Sequence, residues 1–291
     1  MPRILIAGCG YVGAVAADLF HYRGWEVEGW TASTESALAL RHKRFPIRAV
    51  DITDRNAIAG AASDYDAVMQ SVSSRGGTAD AYREVYKLGA ENLIAAFPGV
   101  PLLFISSTSV YGQVNGEWVT EVSVADPARE TGRVLRETEE FVLVHGGSVV
   151  RLAGIYGPGR SVLLRKFLDG TATLTNGDRF INQVHRDDIA TALFLLVQRH
   201  LATASESAEP HIFNVSDNHP LTERECYQWL SAHYQRPMPA AATAPAERKR
   251  GNTNKRVSSE KLHRLGWRPR FPDFPTGLAE SVIPDLPRLG A

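Results

Sequence analysis

Cysteine is scarce in this chain of 291 residues, where only Cys9 and Cys226 occur. Two are too few for a disulfide framework and fit a reducing compartment. An excess of either charge is also missing. Lysine plus arginine and aspartate plus glutamate each number 32, so no global field draws the chain to nucleic acid or an anionic membrane. No apolar run approaches the roughly 18 residues of a membrane span. The opening MPRILIAGCG passes from one arginine through a short apolar run into glycines, unlike a signal peptide. These absences lead us to expect a cytoplasmic protein with neither nucleic-acid nor membrane partners. Internal repeats are absent, and the histidines lack ligand spacing with cysteine or carboxylate partners, so no metal site is expected. What remains is 44% apolar and 22% charged residues, the balance of a globular protein long enough for one large or two modest domains.

The first seventy residues carry the clearest pattern. Ile4 to Ala7 reads as a buried strand, followed by glycines at 8, 10 and 13 and a helical run carrying Val12, Val15, Ala16, Leu19 and Phe20. A second strand spans Glu26 to Thr31. Strand, glycine loop, helix and strand in this order suit a dinucleotide. Gly8 permits the tight turn, Gly10 lets the backbone approach a pyrophosphate, and Gly13 lets helix pack on strand. Tyr11 and Val12 complete the loop, and the helix N-terminus faces the phosphates with its free N–H groups. An acidic residue closing the second strand would accept from a ribose 2′-OH, but Thr31-Ala32-Ser33 stands there. Thr31 and Ser33 could donate to a 2′-phosphate, and RHKR follows at 41–44, either as a further phosphate contact or as a solvated face. NAD(P) is therefore the expected cofactor, with NADP slightly preferred. Asp51 and Ile52 end a third strand, and Ala67 to Gln70 form a fourth running into Ser71, where a cofactor could lie over the backbone.

Further along, PLLFISSTSVYGQ (101–113) is a strong strand opening into serines. VVRLAGIYGPGR (149–160), NQVHRDDIATALFLL (182–196), HIFNVSDNHPLTERE (211–225) and a terminal LGWRPR complete an ordered set. Over nearly the whole chain this set resembles the extended short-chain dehydrogenase/reductases, the nucleotide-sugar epimerases and dehydratases. The alternation of strands and helices, and the resemblance, imply an α/β fold: a doubly wound parallel Rossmann sheet with a smaller interleaved C-terminal substrate-binding part. The expected division is residues 1–155, completed by about 184–217, for the dinucleotide domain, with 156–183 and 218–291 for the substrate part. The stretches before FNVSD and over 238–254 read as surface loops.

The resemblance also implies a catalytic serine after the fifth strand, and a tyrosine with a lysine four residues later on the next helix. Spacing i, i+4 puts both on one helix face, and the ammonium lowers the phenol pKa from about 10 so that it exchanges a proton at neutral pH. Ser107 falls on the serine, with Ser106 beside the cofactor and Thr108 toward substrate. The helix read from 126–147, starting at Asp126-Pro127 and stopping at Gly146-Gly147, instead offers Thr131 and Leu135 at the tyrosine and lysine positions. Tyr86 replaces the family's asparagine on the preceding helix. Ala7 stands where the family's first glycine is usual. No Tyr-x-x-x-Lys occurs anywhere in the chain, and Tyr82 and Lys87 are five apart.

Other residues could carry the proton. The Tyr86 phenol could enter space vacated by the missing pair and approach Ser107, or it packs a helix interface. His185 has a pKa range suited to a base, or it orients a loop by pairing with Asp187 or Asp188. Tyr156 and Arg160 are placed at the substrate cleft, the tyrosine as a structural element. Arg248, Lys249, Arg250, Lys255 and Arg256 form a basic cluster. The resemblance implies that cations there grip a diphosphate, while a solvated loop is the alternative. Two readings follow: an NAD(P)-dependent oxidoreductase or epimerase-like enzyme acting on a hydroxylated or sugar-like small molecule, or a cofactor-binding sensor without turnover. Pairing of relatives through the Tyr86 helix and the 126–147 helix makes a homodimer an expectation.

Overall fold

A computed structural model describes residues 1–74, 76–202, 211–242 and 253–286. In chain order the elements begin β1 (Arg3–Ala7), α1 (Gly13–Tyr22), β2 (Glu26–Thr31), α2 (Thr34–Ala39), β3 (Ile47–Ala49), α3 (Arg55–Ala61) and β4 (Ala67–Gln70). Next come α4 (Ala79–Tyr82), a π-helical turn (Arg83–Leu88), α5 (Gly89–Ala96), β5 (Leu102–Ser107), β6 (Trp118–Val119) and α6 (Glu130–Val144). They are followed by β7 (Ser148–Leu152), β8 (Gly154–Tyr156), α7 (Val162–Leu168), β9 (Phe180–Ile181), β10 (Gln183–His185) and α8 (Arg186–Ala202). The chain then forms β11 (Ile212–Val215), β12 (Leu221–Thr222), α9 (Glu223–Tyr234), β13 (Arg256–Val257), α10 (Glu260–Arg264) and α11 (Phe274–Gly277). No helix among the described residues is long and apolar enough to cross a membrane.

Seven strands form one parallel sheet in the order β11-β7-β5-β4-β1-β2-β3. The apolar runs that signal these strands are buried on both faces, as parallel strands flanked by helices must be. Ile4, Leu5, Ile6, Met69, Phe104, Val149 and Val150 have essentially no exposed surface. From β1 the chain moves outward through β2 to β3, then returns to β4 and continues through β5 in the other direction. This reversal puts a crevice at the carboxyl ends of β1 and β4, where doubly wound sheets bind ligands.

Two compact units divide the chain, one made of 1–110, 125–151 and 189–213, the other of 111–124, 152–188 and 214–291. The boundaries fall inside β7 and β11, so both strands begin in the first unit and end in the second. Residues 111–124, which the sequence alone keeps with the dinucleotide part, cluster with the second unit. There β6 pairs with β13, β8 with β10 and β9 with β12, each a pair of short strands. Their core gathers Tyr156, Phe167, Cys226, Tyr227, Leu230 and Phe274. Helix α9 starts where TERE predicts a capping box. Thr222 Oγ1 accepts from the Glu225 N–H at 3.2 Å, and the Glu225 carboxylate accepts from the Thr222 N–H at 2.7 Å.

Helix α6 begins later than Asp126-Pro127 suggests, at Glu130 with Arg129 as its uncapped N-terminal neighbour. Pro127 folds over the first turn instead of entering it. A Cβ on Gly132 would lie 2.5 Å from the Pro127 Cβ, so glycine there is what lets the proline pack. The expected stop holds: Gly146 has φ +77°, a left-handed conformation that glycine adopts without strain.

Candidate functional site

The glycine loop opens at the carboxyl end of β1. Gly8 has φ +96°, and a Cβ there would sit 2.5 Å from the backbone of Ser71 and Val72. At Gly13 a Cβ would come 2.3 Å from the Gly8 carbonyl oxygen. The fold itself therefore demands glycine at 8 and 13. Gly10 differs, because a Cβ there meets nothing within 4 Å. No atom of the described residues explains this glycine, whereas close approach of a pyrophosphate to the backbone would. Helix α1 starts just beyond it with no side-chain cap; its Ala14 and Val15 N–H groups donate to the Gly10 and Val12 carbonyls at 2.8 and 3.1 Å, and the positive end of the helix dipole suits an anion. The residues present fit a dinucleotide.

Thr31 and Ser33 lie at the carboxyl end of β2, where an adenosine ribose would be read. The Thr31 Oγ1 donates to the Ser33 carbonyl at 3.1 Å, and the Ser33 Oγ caps α2 by accepting from the Ser36 N–H at 3.2 Å. Residues 41–44 are elsewhere. They precede β3, whose Ile47 is paired with Gly29, so they sit toward the amino-terminal edge of the sheet. Lys43 Nζ contacts Asp18 Oδ2 at 2.6 Å there, and His42, Lys43 and Arg44 line a surface groove with Asp18, His21 and Tyr22. RHKR thus takes the solvated alternative, because parallel strands carry it to the wrong end for the ribose. Past β3, Asp51 Oδ1 accepts from the Thr53 N–H and hydroxyl, both at 2.9 Å. Ile52 is buried, and its carbonyl accepts from Asn92 Nδ2 at 2.9 Å.

Ser71 follows β4, its N–H donating to the Ala7 carbonyl at 2.7 Å, and lies at the same edge as the glycine loop. Ser107 ends β5 half-buried, its Oγ accepting from the Ser109 N–H at 3.2 Å, and Thr108 beside it is buried. Ser106 points the opposite way, as alternation along a strand requires. Its hydroxyl donates to Glu139 Oε1 at 2.6 Å inside the unit. That corrects its expected place beside the cofactor: the hydroxyl is engaged by a buried carboxylate. Glu139, with no exposed surface, is also held by Arg151 through Nε at 3.0 Å and Nη2 at 2.7 Å, and by Arg136 at 2.5 Å.

On α6, Leu135 is buried and Thr131 half-buried. Lys87 reaches Glu91 at 2.9 Å and lies over the Phe141 ring, 5.5 Å from its centroid. Tyr86 sits in the π-helical turn, half-buried, with its ring 4.9 Å from that of Tyr82 and 6.2 Å from that of Phe104. Its phenolic oxygen accepts from the Ser74 N–H at 3.4 Å, so the hydroxyl is directed at the loop following β4.

In the second unit His185 is fully buried. Its Nδ1 accepts from the Asp187 N–H at 3.2 Å, which leaves the proton on Nε2, 3.0 Å from Ser281 Oγ. Burial lowers its pKa from 6.5 to about 4, against the attraction of Asp187. With both nitrogens engaged and no exposed surface, His185 is an anchor and not a base. Asp188 does similar work, accepting from the N–H groups of Arg270 at 2.7 Å and Phe271 at 3.0 Å. Tyr156 is core, its hydroxyl donating to the Asp273 carbonyl at 3.2 Å, and burial raises its phenol pKa strongly. Packing withdraws Tyr156 from any cleft, while Arg160 is exposed at the turn closed by the Gly157 N–H and Arg160 carbonyl.

Lys255 is 6% exposed. Its ammonium donates to the Tyr111 carbonyl and the Thr253 hydroxyl, both at 3.0 Å, and to no carboxylate among the described residues. Burial, reinforced by the charge of Arg179 and opposed by Glu117, lowers its pKa from 10.5 to about 8. Arg256 donates from Nε to the Gly116 carbonyl at 2.7 Å and lies over the rings of Trp118 and Phe180. Arg248, Lys249 and Arg250 fall outside the described residues. Glu139 and Gln70 were missed in the sequence. Glu139 carries a signal, since it shares the apolar face of α6 with Leu135 and Val142 at helical spacing. Gln70 carries none, because a polar strand end is ordinary.

The model of the NAD dependent epimerase/dehydratase family matches residues 4–216. Protein YeeZ of Escherichia coli K12 is 32% identical over 213 residues, 68% of this chain and 74% of that protein. Among solved structures, a protein from Methylobacillus flagellatus described as a candidate NAD-dependent epimerase/dehydratase is 26% identical, with a TM-score of 0.76 and 96% of each chain covered. The fold also matches the UDP-glucose 4-epimerase of Thermus thermophilus, solved with NAD, at 22% identity and TM-score 0.76, over 95% of this chain and 96% of that one. On the matched motifs and the parallel sheet that carries them, this chain belongs to the NAD dependent epimerase/dehydratase family.

Proposed function

We propose that the protein is an NAD(P)-dependent oxidoreductase or epimerase-like enzyme that works on a hydroxylated or sugar-like small molecule without the Tyr-x-x-x-Lys pair. The observation that carries this reading is Gly10, a glycine that no atom of the described residues requires, at the head of an uncapped helix. Gly8 to Gly13 would hold the pyrophosphate, Thr31 and Ser33 the adenosine ribose, and the backbone around Asp51, Ile52 and Ser71 the rest of the nucleotide. The bound nicotinamide would supply hydride chemistry. Ser107 would orient the reacting oxygen, and the Tyr86 phenol, which can donate and accept hydrogen bonds, would exchange its proton. Thr108, Arg160 and Arg256 remain the residues proposed for substrate, while the enclosed Lys255 ammonium is held by the Tyr111 carbonyl and the Thr253 hydroxyl. UDP-glucose, bound with NAD by the structural neighbour MoeE5, sets the class of molecule to try first.

Several finer points belong to the same proposal. A ribose site without a carboxylate does not repel a 2′-phosphate, which favours NADP slightly. The homodimer would pair through α6 and the helix containing Tyr86, and light scattering in solution decides it. A second reading, cofactor binding without turnover, is favoured by one observation: Leu135, buried where the family's lysine would stand, supplies no charge. Incubating the protein with NAD+ or NADP+ and a panel of nucleotide sugars, sugar phosphates and simple alcohols separates the two. Substrate-dependent absorbance at 340 nm, or an epimer detected by chromatography, supports the enzyme. Tight cofactor binding with no conversion across the panel supports the sensor.

A further inference from the structure

The π-helical turn that carries Tyr86 has a visible cause. Regular α-helical winding pairs each N–H with the carbonyl four residues back, and an inserted side chain is one of the few things that opens that ladder. Gln70, at the end of β4, inserts here. Its Nε2 donates to the carbonyls of Val85 at 3.2 Å and Tyr86 at 3.0 Å. The amide cannot sit the other way round, because its oxygen would then face two carbonyl oxygens.

Gly89 makes room for this contact. A Cβ at 89 would lie 3.1 Å from Gln70 Nε2 and 2.5 Å from Ile52 Cδ1. Gln70 itself has no exposed surface, and its Oε1 has no hydrogen-bond partner among the described residues. Leucine or methionine would fill the same volume without burying an orphan oxygen. The amide is therefore retained for the two carbonyls it reaches, not for packing. One extra residue in a turn offsets the side chains on either side of it by about 100° from regular winding, and Tyr86 lies within this turn.

We propose that Gln70 is the positioning residue for Tyr86: its amide holds the π turn open and so aims the phenol at the loop of residues 71–74. This rests on the proposed role of Tyr86 for its functional meaning, but its geometry is testable without a substrate. The readouts are the 13Cζ resonance of Tyr86, assigned with Tyr86→Phe, and amide exchange of Ser74, whose N–H meets the phenol. In Gln70→Met we expect the Tyr86 resonance to move and Ser74 exchange to quicken about tenfold or more, with Gln70→His restoring it to within about threefold. An unmoved resonance and unchanged exchange in Gln70→Met overturn the proposal.

Should Gln70→Met fail to fold, Gln70→Glu provides the same test by pH. Ionised, its carboxylate faces the two carbonyls with no donor; protonated, it regains one. Burial raises the pKa of such a carboxyl, so the Tyr86 signal should depart from that of the unaltered protein as pH is raised and return on acidification; a signal identical to it from acid to about pH 9 also overturns the proposal. Adding NAD+ to the unaltered protein tests the functional reading separately. If the Tyr86 resonance ignores bound NAD+, Tyr86 loses its catalytic role while the Gln70 result stands.

Discussion

The two units bury charge in opposite ways. In the first, Glu139 is fully enclosed but answered by two nitrogens of Arg151, one of Arg136 and the Ser106 hydroxyl. In the second, Lys255 is enclosed with two neutral oxygens. Asp217 is nearly as deeply buried and accepts from the His219 N–H, and its pKa is raised well above 3.8, mainly by burial. A compensated ion pair locks β5, α6 and β7 into one arrangement, which keeps the carboxyl end of β5 and its Ser107 fixed. Burial instead shifts the uncompensated groups toward their neutral forms, Asp217 upward and Lys255 down to about 8. The first unit is thus a platform of paired buried charge, and pH acts on Lys255 in the second.

Breaking the compensated pair should have the largest effect. Glu139→Ala removes the carboxylate that the buried Arg151 and Arg136 both hold and should cost about 3–5 kcal/mol in chemical denaturation. Lys255→Met offers the contrast. At pH 7 the unaltered protein bears the burden of a buried ammonium, so the variant should be about as stable or more so. The sign with pH is fixed by the lowered pKa. Below pH 8 the lysine is charged whether folded or unfolded, and above 10.5 it is neutral in both. Between them the folded state holds fewer protons, so the unaltered protein should gain stability relative to the variant as pH rises, by about 3 kcal/mol at 1.36 per pKa unit. A pH-independent difference between the two would remove the contrast.

Catalysis sharpens the comparison further. Tyr86→Phe should lower kcat on whichever panel member is converted by at least about tenfold, or 1.4 kcal/mol of barrier, while leaving denaturation nearly unchanged. An unaltered rate would leave the first unit as a platform only. The smallest expected effect concerns the cofactor. Fluorescence titration should show NADPH binding somewhat tighter than NADH, and Ser33→Asp should reverse the order by placing a carboxylate at the ribose.

Much of the first unit was legible because its determinants are local. Glycine spacing, apolar runs and the Thr31 to Ser33 segment all act within a few residues of where they are read. The same locality made α6 recognisable as a helix, though its start slipped because Pro127 packs on Gly132 from outside the helix. The second unit was less legible. His185 reads as a base or a loop anchor and Tyr156 as a structural element of a cleft, and both lie in the core, because Ser281 and Asp273, about a hundred residues later in the chain, share their hydrogen bonds.

The sequence by itself determined the dinucleotide loop, the alternation that builds a parallel sheet, and the absence of Tyr-x-x-x-Lys, since each is a matter of residue type at short spacing. Only the tertiary structure decided which polar side chains are free to act. Ser106 and Ser107 are neighbours of one chemical type, and strand alternation sends one to a buried carboxylate and leaves the other half-exposed. Gln70 acquires its role only when β4 lies beneath the Tyr86 helix, because hydrogen bonds are settled by what folding brings within about 3 Å.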